Sequence, residues 1–323
     1  MKKIYFGLIL LTSFLLLGCS KPITFVNLFY RYENNEYIDI NLYGDVSESN
    51  CDDIIILTDY WNIMLDHENV NDEKNNIAAL NKYKTISMKD DMIELLKKVI
   101  EICKEYDTVD PLYGSLKDLW DLHQITKQLP TEEEYMNEIL VSKESKITIE
   151  NNNVSLLGNG ILDIDYVKKG YIGEKIKEYL QSKNIDRYVI NYNADLVLYG
   201  KNEDGKAFES AFYGMKNGTY YLSDITLVRF TADGNCFYTD NGRRWANIPS
   251  FVTGIPNDTF ETLFLLGQDS LKNAILGYAY YSLEVEDVKT GEDKYDFMFA
   301  GYRDRKLVYR SEKLVNLLVE EDE

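Results

Sequence analysis

The sequence predicts an α+β fold, because helical and strand patterns follow one another without the regular strand–helix–strand alternation of a parallel sheet. The chain has 323 residues, of which 45% are hydrophobic, which is enough apolar material for a large core in one domain or two closely packed lobes. It contains five prolines and no low-complexity tract that would mark a linker. A single large domain over residues 19–323 is predicted, with two closely packed lobes as the alternative.

The first half of the chain carries most of the predicted helices. Apolar and polar residues alternate in "EYIDINLYG", which predicts a strand. Ser87 precedes the amphipathic run "DDMIELLKKVIEIC" and is the predicted N-cap of its helix. Thr131 and Glu134 have the spacing of a capping box. The predicted elements are a strand at 37–42 and helices at about 47–66, 87–103, 114–126 and from 131.

The second half mixes both kinds of element. "ILDIDYVKKGYIGEKIKEYL" (161–180) reads as a strand end, a polar corner and a helix. "RYVINYNADLVLYGKNEDGKAFESAFYG" has the bends and alternation of hairpin strands. The remaining predictions are strands between 146 and 162, helices near 258–266 and 270–276, and strands at 278–285 and 295–300.

The first eighteen residues are predicted to be a signal peptide. Lys2 and Lys3 precede an apolar run from Ile4 to Leu17, which is too short for a comfortable membrane-spanning helix. The following "LLGC" resembles a bacterial lipobox, in which Cys19 receives the lipid after cleavage. The alternative is a secretory signal without lipid. The prediction is a protein anchored by lipid at the extracytoplasmic face of the cell membrane.

Charge and residue counts argue against several classes of function. The formal net charge is −19, which disfavours nucleic acid because phosphates would be repelled. Apart from Cys19, the chain has three cysteines: Cys51, Cys103 and Cys236. An odd number of widely spaced cysteines is unlike a disulfide framework or a thiolate metal site. The two histidines, His67 and His123, do not suffice for a typical histidine-ligated zinc site.

Several segments, in this order, resemble the ApbE family, the FAD:protein FMN transferases. "YDTVDPLYGSLKDLW" resembles the family's "FDPTVGPLVNLW", "DIDYVKKGY" resembles "DLGGIAKGY", and "NYNADLVLYG" resembles "NLGGNIYALG". "DTFETLFLLG" resembles the family's helix "DALSTALFVLG". The chain departs from the family at its paired glycines, which become Asp165 and Tyr166 in one motif and Asn193 and Ala194 in another. The family's "HIIDPRTG" is reduced to "WANIPS".

This resemblance implies a T-fold-like arrangement of mixed sheets with packed helices, and a flavin chemistry. It implies transfer of FMN from FAD to a threonine of an exported redox protein, with Mg²⁺ as cofactor. Asp163 and Lys169 correspond to flavin-contacting residues, and Tyr106, Asp107 and Thr108 to the turn that shapes the FAD pocket. The alternative for the Asp163 corner is an ordinary helix start with solvated lysines. No general base is assigned.

A magnesium site is predicted from the last of these motifs. Asp258, Glu261 and Thr262 have i, i+3 and i+4 spacing, so a helix would place them on one face. Oxygen ligands of this kind suit Mg²⁺, and in the family the corresponding positions hold the metal with a backbone carbonyl, here that of Tyr166. The alternative is that Asp258 and Glu261 form only a capping box.

The altered glycines leave a second function open. A side chain at such a position can block the close approach of a ligand to the backbone. The alternative to an active transferase is therefore a degenerate ApbE-like lipoprotein that binds flavin or a partner without catalysis.

Overall fold

The computed structural model describes residues 24–32, 35–106, 109–212, 218–231, 236–246 and 248–320. Sixteen strands lie within these residues, and an extended apolar or alternating pattern accounts for most of them. They are β1 (Phe25–Arg31), β2 (Tyr37–Tyr43), β3 (Thr85–Ser87), β4 (Lys146–Glu150), β5 (Asn153–Leu157), β6 (Tyr188–Tyr192), β7 (Leu196–Tyr199), β8 (Phe208–Ser210), β9 (Thr219–Leu222), β10 (Ile225–Thr231), β11 (Cys236–Tyr238), β12 (Arg244–Ala246), β13 (Thr262–Gly267), β14 (Met298–Arg303), β15 (Lys306–Arg310) and β16 (Leu318–Glu320).

Nine helices lie within the same described ranges. Thr131 caps its helix through the predicted capping box with Glu134, and Ser47 caps the first helix. The helices are α1 (Glu48–Met64), α2 (Ile77–Tyr83), α3 (Asp90–Tyr106), α4 (Gly114–Thr126), α5 (Glu132–Lys143), α6 (Asp165–Ser182), α7 (Ser270–Tyr281), α8 (Val285–Tyr295) and α9 (Glu312–Val315). None of the described helices is long and apolar enough to cross a membrane.

The centre of the molecule is an eight-stranded antiparallel sheet in the order β1-β2-β6-β7-β10-β13-β14-β15. Helix α7 lies against β10 and β13 and packs on α6, which in turn contacts α1. The three-stranded sheet β16-β9-β8 shares a second apolar cluster with side chains of the central sheet. Two further small sheets, β3-β5-β4 and β11-β12, complete the fold. The fold is α+β, as predicted.

The central strand β13 corrects one predicted helix. Residues 258–261 are not helical, and the run from Thr262 to Gly267 is a strand paired with β10 and β14. Leu263 and Leu265 join the larger core, whereas Phe264 and Leu266 join the smaller one. Both faces of β13 are therefore buried, which produces a continuous apolar run that lacks the alternation of a half-exposed strand.

Two other predictions are also wrong. The segment predicted as a strand at 278–285 belongs largely to helix α7, which continues to Tyr281. Ser87 is the last residue of β3, so the following helix begins three residues later, at Asp90. Strand β1 was not predicted, because exposed residues occupy most of its positions.

Gly170 permits the close contact between helices α6 and α7. A Cβ atom on Gly170 would lie 2.4 Å from the carbonyl oxygen of Ser270 and 2.5 Å from Cβ of Ala274. Neither group can move without shifting the α7 backbone. The glycine that the sequence retains in "DYVKKGY" thus fixes the depth of helix packing next to the polar corner that precedes α6.

Candidate functional site: a charged cavity at the start of helix α6

A cavity of about 620 Å³ opens beside the first turn of helix α6. Its size lies in the ordinary range for small-molecule sites. The polar corner before α6, the β6–β7 turn, the end of β10 and helices α4 and α7 all contribute to its lining. Its charged residues are three cations and four carboxylates: Lys117, Lys169, Arg229, Asp121, Asp163, Asp165 and Asp195.

Asp163 lies at the corner between Leu162 and helix α6. Its backbone N–H donates to the carbonyl of Pro111 at 2.9 Å, and its Oδ1 accepts the backbone N–H of Asp165 at 2.8 Å. The residue is only 6% exposed, although it lines the cavity. Burial raises the pKa of Asp163, and the nearby charge of His67 opposes that rise. This carboxylate is therefore held in one orientation by the backbone that starts the helix.

Lys169 and Arg229 form a pair of cations in the cavity wall. Nζ of Lys169 lies 3.5 Å from Oδ2 of Asp195, donates to the carbonyl of Arg229 at 3.2 Å and lies 4.8 Å from the centre of the Phe230 ring. Arg229 donates from Nε to the other oxygen of Asp195 at 3.0 Å. Two cations share one carboxylate, so this wall has an excess positive charge that suits a phosphate-bearing ligand.

Tyr166 gives the cavity an aromatic wall. Its ring stacks on that of Tyr278 with centroids 4.5 Å apart and an interplanar angle of 14°. Its hydroxyl lies 3.8 Å from Sγ of Cys103, and burial raises its pKa well above the ordinary value. Phe251 also contacts both tyrosine rings. The side chain at this position therefore fills space that a glycine would leave open.

The turn between β6 and β7 closes another side of the cavity. Asn193 and Ala194 both have positive φ, at 53° and 56°, as the central residues of a type I′ turn do. The N–H of Asp195 completes the turn by donating to Tyr192 O at 3.1 Å. Asn193 and Ala194 thus have the backbone conformation that paired glycines would adopt without strain. The turn places Asp195 next to Arg229.

The model of one protein family matches this chain over residues 55–259, which is more than half of its length. That model is the ApbE family, and the matched range includes the polar corner, the β6–β7 turn and β10. The chain belongs to the ApbE family.

Individual relatives are distant. The chain is 24% identical over 156 residues to an FAD:protein FMN transferase of Vibrio cholerae and 21% identical over 177 residues to one of Klebsiella pneumoniae. These alignments cover 46% and 54% of this chain and 47% and 56% of those relatives. The chain thus spans about half the length of the curated relatives it matches.

Solved ApbE structures share the fold over nearly the whole chain. The flavin transferase ApbE from Vibrio cholerae superimposes with a TM-score of 0.72 at 16% identity, covering 92% of this chain and 100% of that one. The ApbE protein from Thermotoga maritima gives 0.77 at 15% identity, with coverage of 92% and 100%. The apo flavinyl transferase ApbE of Pseudomonas stutzeri gives 0.74 at 13% identity, with coverage of 93% and 98%.

The ApbE motifs account for part of the predicted flavin site. Asp163 and Lys169, which the family motif predicts to contact the flavin, both line the cavity. Tyr106 does not line it: this residue ends helix α3, is 4% exposed and packs edge-on against Tyr295 at 4.2 Å. Asp107 and Thr108 lie outside the described residues, as does Cys19.

The residues predicted to bind magnesium are engaged elsewhere. Oδ2 of Asp258 accepts from Arg303 at 3.0 Å, and Glu261 accepts from Arg244 at 2.8 Å and from the N–H of Asp304 at 2.6 Å. Thr262 is 2% exposed, and its hydroxyl lies 3.2 Å from that of Thr231.

Tyr166 lines the cavity, but Asp258, Glu261 and Thr262 do not. Because the segment is not a helix, the spacing argument that joined the three side chains does not apply. Among the described residues, no group of three or more His, Cys, Asp or Glu side chains could hold a metal. The structure therefore does not bring the predicted magnesium ligands together at the cavity.

Three residues at or next to the cavity were missed in the sequence analysis. Arg229 carries a signal, since it is a charged residue within the strand run "ITLVRFT". Asp195 directly follows the altered glycine pair. His67 lies next to Asp163, with Nδ1 3.8 Å from Oδ1 of that residue, and no local pattern indicates this contact.

Proposed function

We propose that this chain is an FAD:protein FMN transferase that transfers FMN from FAD to a threonine hydroxyl of an exported redox protein. The observation that carries the proposal is that Asp163 and Lys169 both line one cavity in a chain of the ApbE family. The names of the relatives in Vibrio cholerae and Klebsiella pneumoniae support the same activity.

The cavity offers each part of FAD a suitable partner. Lys169 and Arg229 offset the negative charge of the pyrophosphate, while Asp195 holds the two cations in place. The buried carboxylate of Asp163 accepts a hydrogen bond from an N–H or O–H group of the nucleotide. The rings of Tyr166, Phe230 and Tyr278 provide apolar surface for the aromatic parts of the ligand.

The reaction is a displacement at phosphorus. The threonine oxygen of the acceptor forms a bond to the phosphorus of the FMN half, and the bond from that phosphorus to the bridging oxygen breaks. AMP leaves with the bridging oxygen, and the threonine proton passes to a base that is not assigned. Lys169 and Arg229 lie where they can stabilise charge that develops on the pyrophosphate in the transition state.

Magnesium dependence rests on the family resemblance alone. In nucleotide enzymes this ion binds phosphate oxygens and neutralises charge that develops there. Asp258, Glu261 and Thr262, which were predicted to bind this ion, do not line the cavity. No step of the reaction is therefore assigned to Mg²⁺. The test is to measure transfer of FMN to an acceptor protein with and without Mg²⁺. Activity that is unchanged after chelation of the metal would show that the reaction does not depend on Mg²⁺.

A lipid anchor at Cys19 would hold the protein at the extracytoplasmic face of the membrane, close to exported acceptors. Its support is the "LLGC" sequence after an apolar run. Replacement of Cys19 by Ala should release the protein from the membrane fraction or leave it unprocessed. An unchanged distribution between membrane and soluble fractions would remove the anchor from the proposal.

The structure favours one alternative function. Tyr166 fills space where the family motif has a glycine, and a filled site can bind flavin without aligning its pyrophosphate for attack. The alternative is therefore a lipoprotein that binds flavin or a partner without catalysis.

One assay separates the two functions. The purified protein is incubated with FAD, Mg²⁺ and an acceptor protein that carries the flavinylation motif, and the acceptor is examined in a denaturing gel for covalent flavin fluorescence. Labelled acceptor together with an equal amount of AMP supports the transferase. Saturable FAD binding without any labelling supports the binding protein.

A further inference from the structure

The contact of His67 with Asp163 is a feature of the site that the flavin chemistry above does not use. Nδ1 of His67 and Oδ1 of Asp163 are 3.8 Å apart, and the two side chains are 10% and 6% exposed. Asp163 lines the cavity, whereas His67 is not among the lining residues. The residues are 96 positions apart in sequence, and His67 is one of two histidines in the chain.

We propose that His67 is a positioning residue that keeps the Asp163 carboxylate ionised, as an acceptor for the ligand. The inference rests on the proposed function, because the ligand it concerns is FAD. His67 itself contacts no substrate in this account. It acts through Asp163.

The loop that carries His67 is fixed by its own hydrogen bonds. The carboxylate of Asp66 accepts the N–H groups of Glu68 and Asn69 at 2.8 and 2.9 Å. The side-chain amide of Asn76 donates to the carbonyls of Ile63 and Asn69 at 3.1 and 2.8 Å. Such side-chain-to-backbone bonds define a rigid turn. His67 is therefore held at a set distance from the cavity wall.

Charges on several elements act on Asp163. Burial raises its pKa most, the charge of His67 lowers it, and Lys117 of helix α4 lowers it as well. Asp165 has two effects, because its charge raises the pKa while its backbone N–H lowers it. Tyr166 and Tyr278 face the same region, and burial raises the pKa of both phenols, which keeps them neutral.

Further carboxylates lie around the histidine. Oε1 of Glu68 is 3.9 Å from Nε2 of His67, and Asp118 also interacts electrostatically with the ring. Asp121 is paired with Lys117 at 2.7 Å. Among these groups, His67 and Lys117 are the cations that act on Asp163, and His67 is the one whose ring nitrogen lies against its oxygen.

The protonation state of Asp163 decides what it can do for a ligand. An ionised carboxylate only accepts hydrogen bonds, whereas a protonated one also donates. A carboxyl group with 6% exposure is poorly solvated by water, so its charge depends on neighbouring cations. The imidazole can supply that charge, because it lies 3.8 Å from Oδ1 of Asp163 and is not itself part of the cavity lining.

The test measures FAD affinity against pH for the native protein, His67→Gln and the matched control His123→Gln. His123 is the other histidine, at the end of helix α4, where Nδ1 lies 3.0 Å from the carbonyl of Gln128. A carboxylate that binds when ionised supports binding above its pKa and loses it as the pH falls. Without His67 the pKa of Asp163 rises further, so binding should weaken at a higher pH.

We expect the binding midpoint of His67→Gln to lie about one pH unit above that of the native protein, as for loss of a nearby opposite charge. His123→Gln should follow the native curve. Identical curves for all three proteins would overturn the proposal. A loss of affinity that is uniform across the pH range and matched by a loss of thermal stability would also overturn it, because it assigns His67 to folding alone.

A second measurement needs no FAD. The ring signals of the two histidines are followed by NMR against pH in the native protein and in Asp163→Asn, and His123→Gln assigns the signals. The chemical shifts of the His67 ring should change in Asp163→Asn, because the ring lies against the Asp163 carboxylate, while the His123 signal stays unchanged. An unmoved His67 signal would overturn the pairing. If the native protein fails to bind FAD, the proposed function falls, and the NMR result alone decides whether the pair exists.

Discussion

At the scale of single residues, Ala194 has a backbone conformation that is costly for an L-residue with a side chain. Its φ is 56°, in the left-handed region, and the preceding Asn193 has φ of 53°. Asparagine tolerates this region better than alanine, because its short polar side chain can bond locally. Ala194 holds the conformation because the turn is fixed by hydrogen bonds from its own N–H to Asn191 and from the N–H of Asp195 to Tyr192.

Replacement of Ala194 by Gly should therefore stabilise the protein. Relief of the left-handed conformation should stabilise the folded protein by about 1–2 kcal/mol. The greater freedom of glycine in the unfolded chain opposes this gain and costs about 0.4–1 kcal/mol. The expected net gain is about 0.5–1 kcal/mol in the free energy of unfolding, measured by denaturant titration. A loss of stability of similar size would mean that this residue does not have positive φ.

The residues of the site differ in how far the sequence could predict them. Asp163 and Lys169 lie on one short motif, and both line the cavity; that they contact a flavin stays a prediction. Asp195 and Arg229 form their hydrogen bond although they are 34 positions apart in sequence. His67 and Asp163 are 96 positions apart and lie side by side. Those contacts are set by strand order and by a loop conformation, which no local spacing encodes.

At the scale of elements, the packing of α6 on α7 determines where the polar corner lies. Gly170 and Gly173 both face α7, but with different clearances. A Cβ on Gly170 would meet the backbone of Ser270 at 2.4 Å, whereas one on Gly173 would meet the Ser270 hydroxyl at 3.0 Å. The first contact cannot be relieved by a side-chain rotation.

Gly170→Ala should destabilise the protein by about 1–3 kcal/mol, the usual range for an overpacked interface. Gly173→Ala is the matched control in the same helix and should cost clearly less, because its nearest neighbours would be side-chain atoms of Ser270 and Leu196 at 3.0–3.2 Å. Thermal or denaturant unfolding of the two variants measures the difference. Equal costs for both would contradict the close approach at Gly170.

Two elements show why pattern alone misassigned part of the fold. Strand β13 is buried on both faces, so its run "TLFLLG" has no alternation that would separate it from a helix. Helix α7 is buried almost throughout and contains "YAYY", a run of residues with high strand propensity. In both cases tertiary burial overrides the local preference. The error at β13 also removed the basis of the predicted magnesium ligands.

At the scale of the whole molecule, the cavity concentrates cations in a strongly acidic protein. The net charge is −19, yet Lys117, Lys169 and Arg229 converge on one cavity. The same cavity is also lined by four carboxylates, so an anionic ligand is attracted at the pair of Lys169 and Arg229 and not by the cavity as a whole. The α+β class and the family could be predicted, because several motifs occur in the family's order. The ring of Tyr166 in the cavity wall could not be predicted, since its stacking depends on a helix that begins more than 100 residues later.

The most direct test of the central claim is calorimetric titration of FAD into the native protein, Lys169→Ala and Lys168→Ala. Lys169 lines the cavity, whereas its neighbour Lys168 points to Glu36 and Asp165, at 3.6 and 4.0 Å, and does not line it. Loss of Lys169 leaves Asp195 paired with Arg229, so thermal stability should change little.

The native protein should bind FAD saturably. Lys169→Ala should bind FAD with about tenfold lower affinity, equivalent to about 1.4 kcal/mol. Lys168→Ala should bind FAD with the native affinity. Native FAD affinity in Lys169→Ala, or an equal loss in both variants, would contradict the claim that this cavity is the flavin site.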